Sequence, residues 1–129
     1  MQPNNFIECV DFPCQDVNRK CYMVPNVEVE PDKIEILMIS EAPPEDSNDY
    51  FYAPGNPFFV QTTVQAFNDA GLDVASMKDV LNLGVYITTA IKCGKTAYSI
   101  SPGTIDNCSI RILENEMNLF PKTKAILLM

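Results

Sequence analysis

The stretch that most constrains this chain is Lys33 to Ser40 (KIEILMIS), an apolar run that stops abruptly at the proline-braced, acidic Glu41-Ala42-Pro43-Pro44-Glu45-Asp46. A short apolar run bounded by turn residues is the pattern of a buried strand. Ligands of open α/β sheets bind just beyond the carboxyl ends of the strands, and Glu41 stands at that place. Its carboxylate is the first candidate for chemistry.

Two further runs read as strands. Val85 to Ile91 (VYITTAI) is β-branched and aromatic and leads straight into Lys92-Cys93-Gly94-Lys95, and Lys124 to Met129 (KAILLM) is short and apolar. Helical patterns separate them. Val60, Val64 and Phe67 predict a helix over 59–70 stopped by Gly71, and Ser76 caps a second through Leu83, stopped by Gly84. Thr104 is the expected cap of a third, with Ile105, Cys108, Ile112 and Met117 roughly on one side, ending before Pro121. The order predicts an α/β fold, a three-layer α/β/α sandwich with a mainly parallel central sheet and right-handed crossovers. Residues 1–32 form an irregular, cysteine-bearing N-terminal wrap, and the loop Glu41–Asn56 carries Tyr50-Phe51-Tyr52, expected to pack on the sheet as a lid. At 129 residues the chain is one domain, 1–129. Because it halts on an apolar strand with no polar loop behind it, a C-terminal part is expected to be missing.

Composition narrows the chemistry. Five cysteines and no histidine exclude a Ser-His or Cys-His nucleophile pair and any imidazole-bound zinc within these residues. Acid–base work falls to carboxylates. No stretch is long and apolar enough for a membrane span and no leader pattern opens the chain, so a soluble, cytoplasmic protein is expected, with its thiols reduced. A net charge of -8 repels a phosphate backbone on average, so nucleic-acid contact requires a local basic patch. Lys92 and Lys95 beside Cys93, with Arg19 and Lys20 near Cys14, can form one; the alternative is four solvated surface cations. Glu45, Asp46 and Asp49 read first as a solvated loop.

Glu41-Ala42-Pro43-Pro44-Glu45-Asp46 after a strand, Asn56-Pro57-Phe58-Phe59-Val60 before a helix, Tyr86-Ile87-Thr88-Thr89-Ala90-Ile91-Lys92-Cys93, and Cys108 fifteen residues later resemble, in order and spacing, the uracil-DNA glycosylase superfamily, closest to its iron–sulfur branch. The resemblance runs from about Cys9 to Met129 and implies an enzyme that flips a damaged base out of DNA and hydrolyses its N-glycosidic bond. It makes Glu41 the catalytic carboxylate, which positions water and stabilises oxocarbenium character. Ser40, Ala42, Pro43, Phe58 and Thr89 become substrate-binding residues, with Phe58 stacking on the base or else anchoring the following helix in the core. Thr89 stands where the family's asparagine reads the base edge, and one hydroxyl cannot pair in two places, so weaker uracil discrimination is expected. Ser40 and Pro44 replace two family glycines, and the family's histidine motif has no counterpart.

The same resemblance makes Cys9, Cys14, Cys93 and Cys108 ligands of a [4Fe-4S] cluster and leaves Cys21 spare, although Cys9 and Cys14 are spaced more widely than the usual pair. A zinc site and buried free thiols stay open beside it. Three functions follow: a DNA-repair glycosylase for uracil or a related deaminated base, a superfamily member that binds nucleic acid or nucleotide without cutting, and a cysteine-based metal or redox protein.

Overall fold

A computed structural model describes residues 1–129. In chain order its elements are β1 (Val17–Asn18), β2 (Ile36–Ser40), α1 (Phe58–Asp69), α2 (Met77–Asn82), β3 (Val85–Thr89), β4 (Gly94–Lys95), α3 (Pro102–Cys108), α4 (Glu114–Met117) and β5 (Ala125–Leu128). The fold mixes helices with a three-stranded parallel sheet, as the alternating pattern implies. β2 is its centre, paired with β3 from Ile36↔Val85 to Ser40↔Thr89 and with β5 from Ile36↔Ala125 to Ile39↔Leu128. Its start is later than the apolar run suggests, because Pro31–Lys33 closes a 3-10 turn first.

Alternate residues of a strand face opposite ways, and two apolar clusters use the two sets. Val85 and Ile87, with Ile36 and Met38, pack against Val60 of α1 and Met77 and Val80 of α2. Leu37 and Tyr86 instead pack with Phe120 and Met117 from the end of the last helical run. The chain therefore leaves β2 towards one side of the sheet and β3 towards the other. Gly84 makes the turn into β3 at φ +87°, and a Cβ there would lie 2.8 Å from the Lys33 carbonyl, so glycine is required on both counts.

The long loop is ordered by its aromatics. Tyr50 and Phe51 are buried in the α1–α2 cluster. The Tyr52 hydroxyl accepts from the Ile87 N–H at 2.9 Å and donates to the Ile87 carbonyl at 3.0 Å, standing in for a neighbouring strand at the open edge of β3. This is the expected lid. Asp49, read as a solvated acid, has a structural role: it accepts the Phe59 N–H at 3.0 Å, a cap that Pro57 does not give α1.

The third helix corrects two expectations. Its cap is Ser101, not Thr104: the Ser101 hydroxyl accepts the Thr104 N–H at 3.3 Å, with Pro102 in the first turn. The helical run is also not regular, since Ser109–Leu113 between α3 and α4 is a π turn. Thr104, Cys108, Ile112, Glu116 and Phe120 are its buried residues, every fourth position, in place of the expected Ile105 and Met117. In a straight α-helix each four-residue step rotates about 40° off the starting face. A π turn holds more residues and takes up that drift, so Glu116 still points inward.

Burial holds Tyr50, Tyr52 and Tyr86 protonated, each raised above the ordinary tyrosine value chiefly by desolvation. An unfolded tyrosine ionises near pH 10, so above it the native state keeps protons the unfolded chain releases. The tyrosine contribution to stability should thus be constant below about pH 10 and fall above it, by up to about 1.4 kcal/mol per pH unit for each tyrosine. Urea midpoints that do not move between about pH 9 and pH 11 would contradict this burial.

Candidate functional site

The carboxyl ends of β2 and β3 are where the chain departs to opposite sides of the sheet, the place where open α/β folds bind ligands. Glu41 is there, at the bend after β2, its side chain 63% exposed and paired with Lys95 at 2.9 Å. Two backbone bonds beyond the strands close the gap, from the Ala90 N–H to the Ser40 carbonyl (2.7 Å) and from the Ile91 N–H to the Glu41 carbonyl (2.9 Å). Of the expected substrate residues, Ser40 donates to the Thr88 carbonyl at 3.4 Å, Ala42 is half-buried and Pro43 is buried. Thr89 is buried too, and its hydroxyl donates to the Ile91 carbonyl at 2.6 Å, which leaves no edge for a base. Phe58 opens α1 with 76% of its surface exposed, so it does not anchor the helix in the core. Phe59 does more of that, packing edge-on to Phe51 at 4.4 Å between ring centres. Neither Glu41 nor Phe58 lines any of the five principal cavities.

The cysteines converge. Cys9, Cys14, Cys93 and Cys108 all line one narrow cavity beside the strand ends, with apolar walls from Phe12, Tyr22 and Ile91. On its outer side an open hollow is shared by Cys9, Cys14 and Cys108. Cys21 stays outside both: its thiol accepts from Asn18 and donates to the Glu45 carbonyl, each at 3.4 Å. Burial, and then the neighbouring thiols, push Cys93 up to about 12, and burial raises Cys108 as well. No group of three or more cysteines and acids is gathered tightly enough to hold a single metal ion.

Polar pins bring these thiols together from distant parts of the chain. Asp11 takes both guanidinium nitrogens of Arg111, at 3.1 and 3.2 Å. Asp16 accepts the Ser101 N–H at 2.7 Å and the Thr104 hydroxyl at the start of α3; these bonds lower its pKa. The Cys9 N–H donates to the Tyr22 hydroxyl at 2.9 Å. β1 pairs with β4, Val17 opposite Lys95 and Asn18 opposite Gly94, and so lays the N-terminal segment beside Cys93.

Lys92 is not the surface cation expected. It is 0% exposed and paired with Glu116, itself 0% exposed. Tyr86 and Thr88 donate to the same carboxylate at 2.6 and 2.8 Å, and the Lys92 ammonium reaches Thr88 at 2.8 Å. Burial pulls the lysine pKa down, and Glu116 opposes that by stabilising the cation. Lys92 and Cys108 line the cysteine cavity together, so this network stands at its wall. Sequence reading missed Glu116; the signal was the four-residue stripe that runs through Cys108 and Ile112.

No protein-family model, curated protein or solved structure matches the chain. No helix is long and apolar enough to cross a membrane.

Removing one partner of a buried pair leaves the other charge uncompensated. Lys92→Met should therefore cost about 3–5 kcal/mol in urea unfolding, and Lys92→Met/Glu116→Leu should recover most of it. Equal losses in the single and double variants would mean that the two charges are not coupled.

Proposed function

We infer that this chain is the cysteine-centred core of a DNA N-glycosylase of the uracil-DNA glycosylase type, acting on uracil or a related deaminated base. One observation carries the reading: the four cysteines that the resemblance singles out, and not the fifth, line one cavity beside the carboxyl ends of the parallel strands. Sheet and helices fit the three-layer α/β/α sandwich of that superfamily, since the two clusters lie on opposite faces of β2 and β3.

The donor set suits a [4Fe-4S] cluster better than zinc. A tetrahedral zinc with bonds of about 2.3 Å draws its sulfurs to within about 3.8 Å of one another, and these thiols are not gathered so tightly. A four-iron cube holds its ligands farther apart. Cys9 and Cys14, on irregular chain facing the outer hollow, would close on it with Cys93 and Cys108, each losing its proton. When bound, the cluster would tie the N-terminal segment to the sheet and α3. Glu41 would act at the strand end: its carboxylate stabilises positive charge on the departing sugar and orients the attacking water. Lys95 holds that carboxylate in place at 2.9 Å.

A second reading, a superfamily member that binds nucleic acid without cutting it, is favoured by two features: Glu41 and Phe58 share no principal cavity, and the Thr89 hydroxyl is already engaged. Incision of single- and double-stranded DNA containing uracil, hypoxanthine or xanthine separates the two. Release of base, lost in Glu41→Ala with the fold unchanged, supports the enzyme; no abasic product from the folded protein leaves only binding. Anaerobic purification should give brown protein with about four irons per chain, and Cys93→Ser should lose the colour while Cys21→Ser keeps it. Colourless, iron-free, folded protein would remove the cluster.

A further inference from the structure

Of the chain's nine cations, Lys33, Lys92, Lys95, Arg111 and Lys124 each meet a carboxylate side chain. Arg19 and Lys20 do not, and they are adjacent, exposed and continuous with β1. The register of β1 on β4 brings Lys95 to the same two-stranded ribbon, opposite Val17. Beside it the Tyr98 ring is 97% exposed, with the Lys95 ammonium 5.5 Å from its centre. An aromatic ring left almost wholly in water, with a lysine beside it, has no folding role to explain it.

A shallow hollow runs along this ribbon. Gln15, Asn18, Arg19, Lys20 and Thr96 line it, and no carboxylate does, in a chain whose net charge is -8. Two carboxylates beside the ribbon have partners of their own: Glu41 pairs with Lys95, and Asp16 accepts from Ser101 and Thr104.

We propose that the β1–β4 ribbon is a binding surface for single-stranded nucleic acid, in which Arg19 and Lys20 take backbone phosphates and Tyr98, beside the Glu41-paired Lys95, stacks on an unpaired base. An open groove with exposed cations and no carboxylate suits a phosphodiester chain, and a free ring can stack only on a base that is not already stacked in a duplex. Because Lys95 also touches Glu41, a strand laid on the ribbon passes directly beside the candidate catalytic carboxylate. This inference rests on the nucleic-acid reading above and names the path by which the strand reaches that site.

The test measures binding of a fluorescent oligothymidine, and of a duplex of equal length, to the full chain across a salt series, with uracil release assayed on the same proteins. Tyr98→Ala should weaken single-strand binding about tenfold and change duplex binding little. Arg19→Ala/Lys20→Ala should lower the slope of log affinity against log salt by about 1.4. Lys78→Ala/Lys122→Ala, which removes the same charge from two other cations without carboxylate partners, should leave that slope unchanged. Binding that is absent at low salt, or equally weakened by both double variants, overturns the ribbon. Uracil release with unchanged KM in Arg19→Ala/Lys20→Ala would overturn the ribbon and keep the glycosylase; ribbon-dependent binding without release would keep the ribbon and remove the enzyme.

Discussion

The buried contact between Lys92 and Glu116 sets the relation between the end of the parallel sheet and the helical run behind it. Two charges withdrawn from water are costly, and the cost is offset only where each finds its partner and every remaining hydrogen-bonding position is filled. Tyr86, Thr88 and the Thr89 carbonyl fill those positions. An apolar contact at this place would tolerate sliding, whereas an ammonium and a carboxylate with fixed donors admit one alignment. That alignment puts Cys93, next in sequence to Lys92, on the same cavity as Cys108, which sits two buried positions before Glu116.

The cysteine region is assembled differently from the sheet. Residues 1–32 contribute short 3-10 turns and one two-residue strand. They are fastened by separate polar pins from Asp11, Asp16 and Tyr22, and exposed pairs such as Asp11–Arg111 are worth little individually. Apolar contacts hold the segment as well: Ile7 and Val24 pack on Ile112, and Val29 joins the cluster of Leu37 and Tyr86. A cluster spanning all four thiols would couple any opening of this segment to that of the sheet end.

Much of the scaffold was legible because it is encoded locally. KIEILMIS announced the central strand, Gly71 and Gly84 their helix ends, and Ser76 its cap. Ser101-Pro102 carried an equally local signal, a capping hydroxyl before a first-turn proline, but Thr104 competed with it and was preferred. Lys92 was misread because flanking Cys93 and Gly94 suggest a surface turn, and nothing near it in sequence reveals a partner 24 residues away. The choice of Cys9, Cys14, Cys93 and Cys108 over Cys21 came from a resemblance in order and spacing, and all four line one cavity. Phe58 and Thr89, chosen the same way, do not meet around a base-sized space.

From the sequence alone come the element types, the parallel order of the strands, and the position of Glu41 just past the central one. These follow from periodicity, capping and strand-ending prolines, which act over a few residues. Only the tertiary structure decided that Lys92 is an interior cation, that Glu41 is paired with Lys95, and that Arg19, Lys20 and Tyr98 flank one ribbon. Whether a charge is buried, paired or free depends on which distant group the folded chain sets within a few ångströms of it, and that is a property of packing.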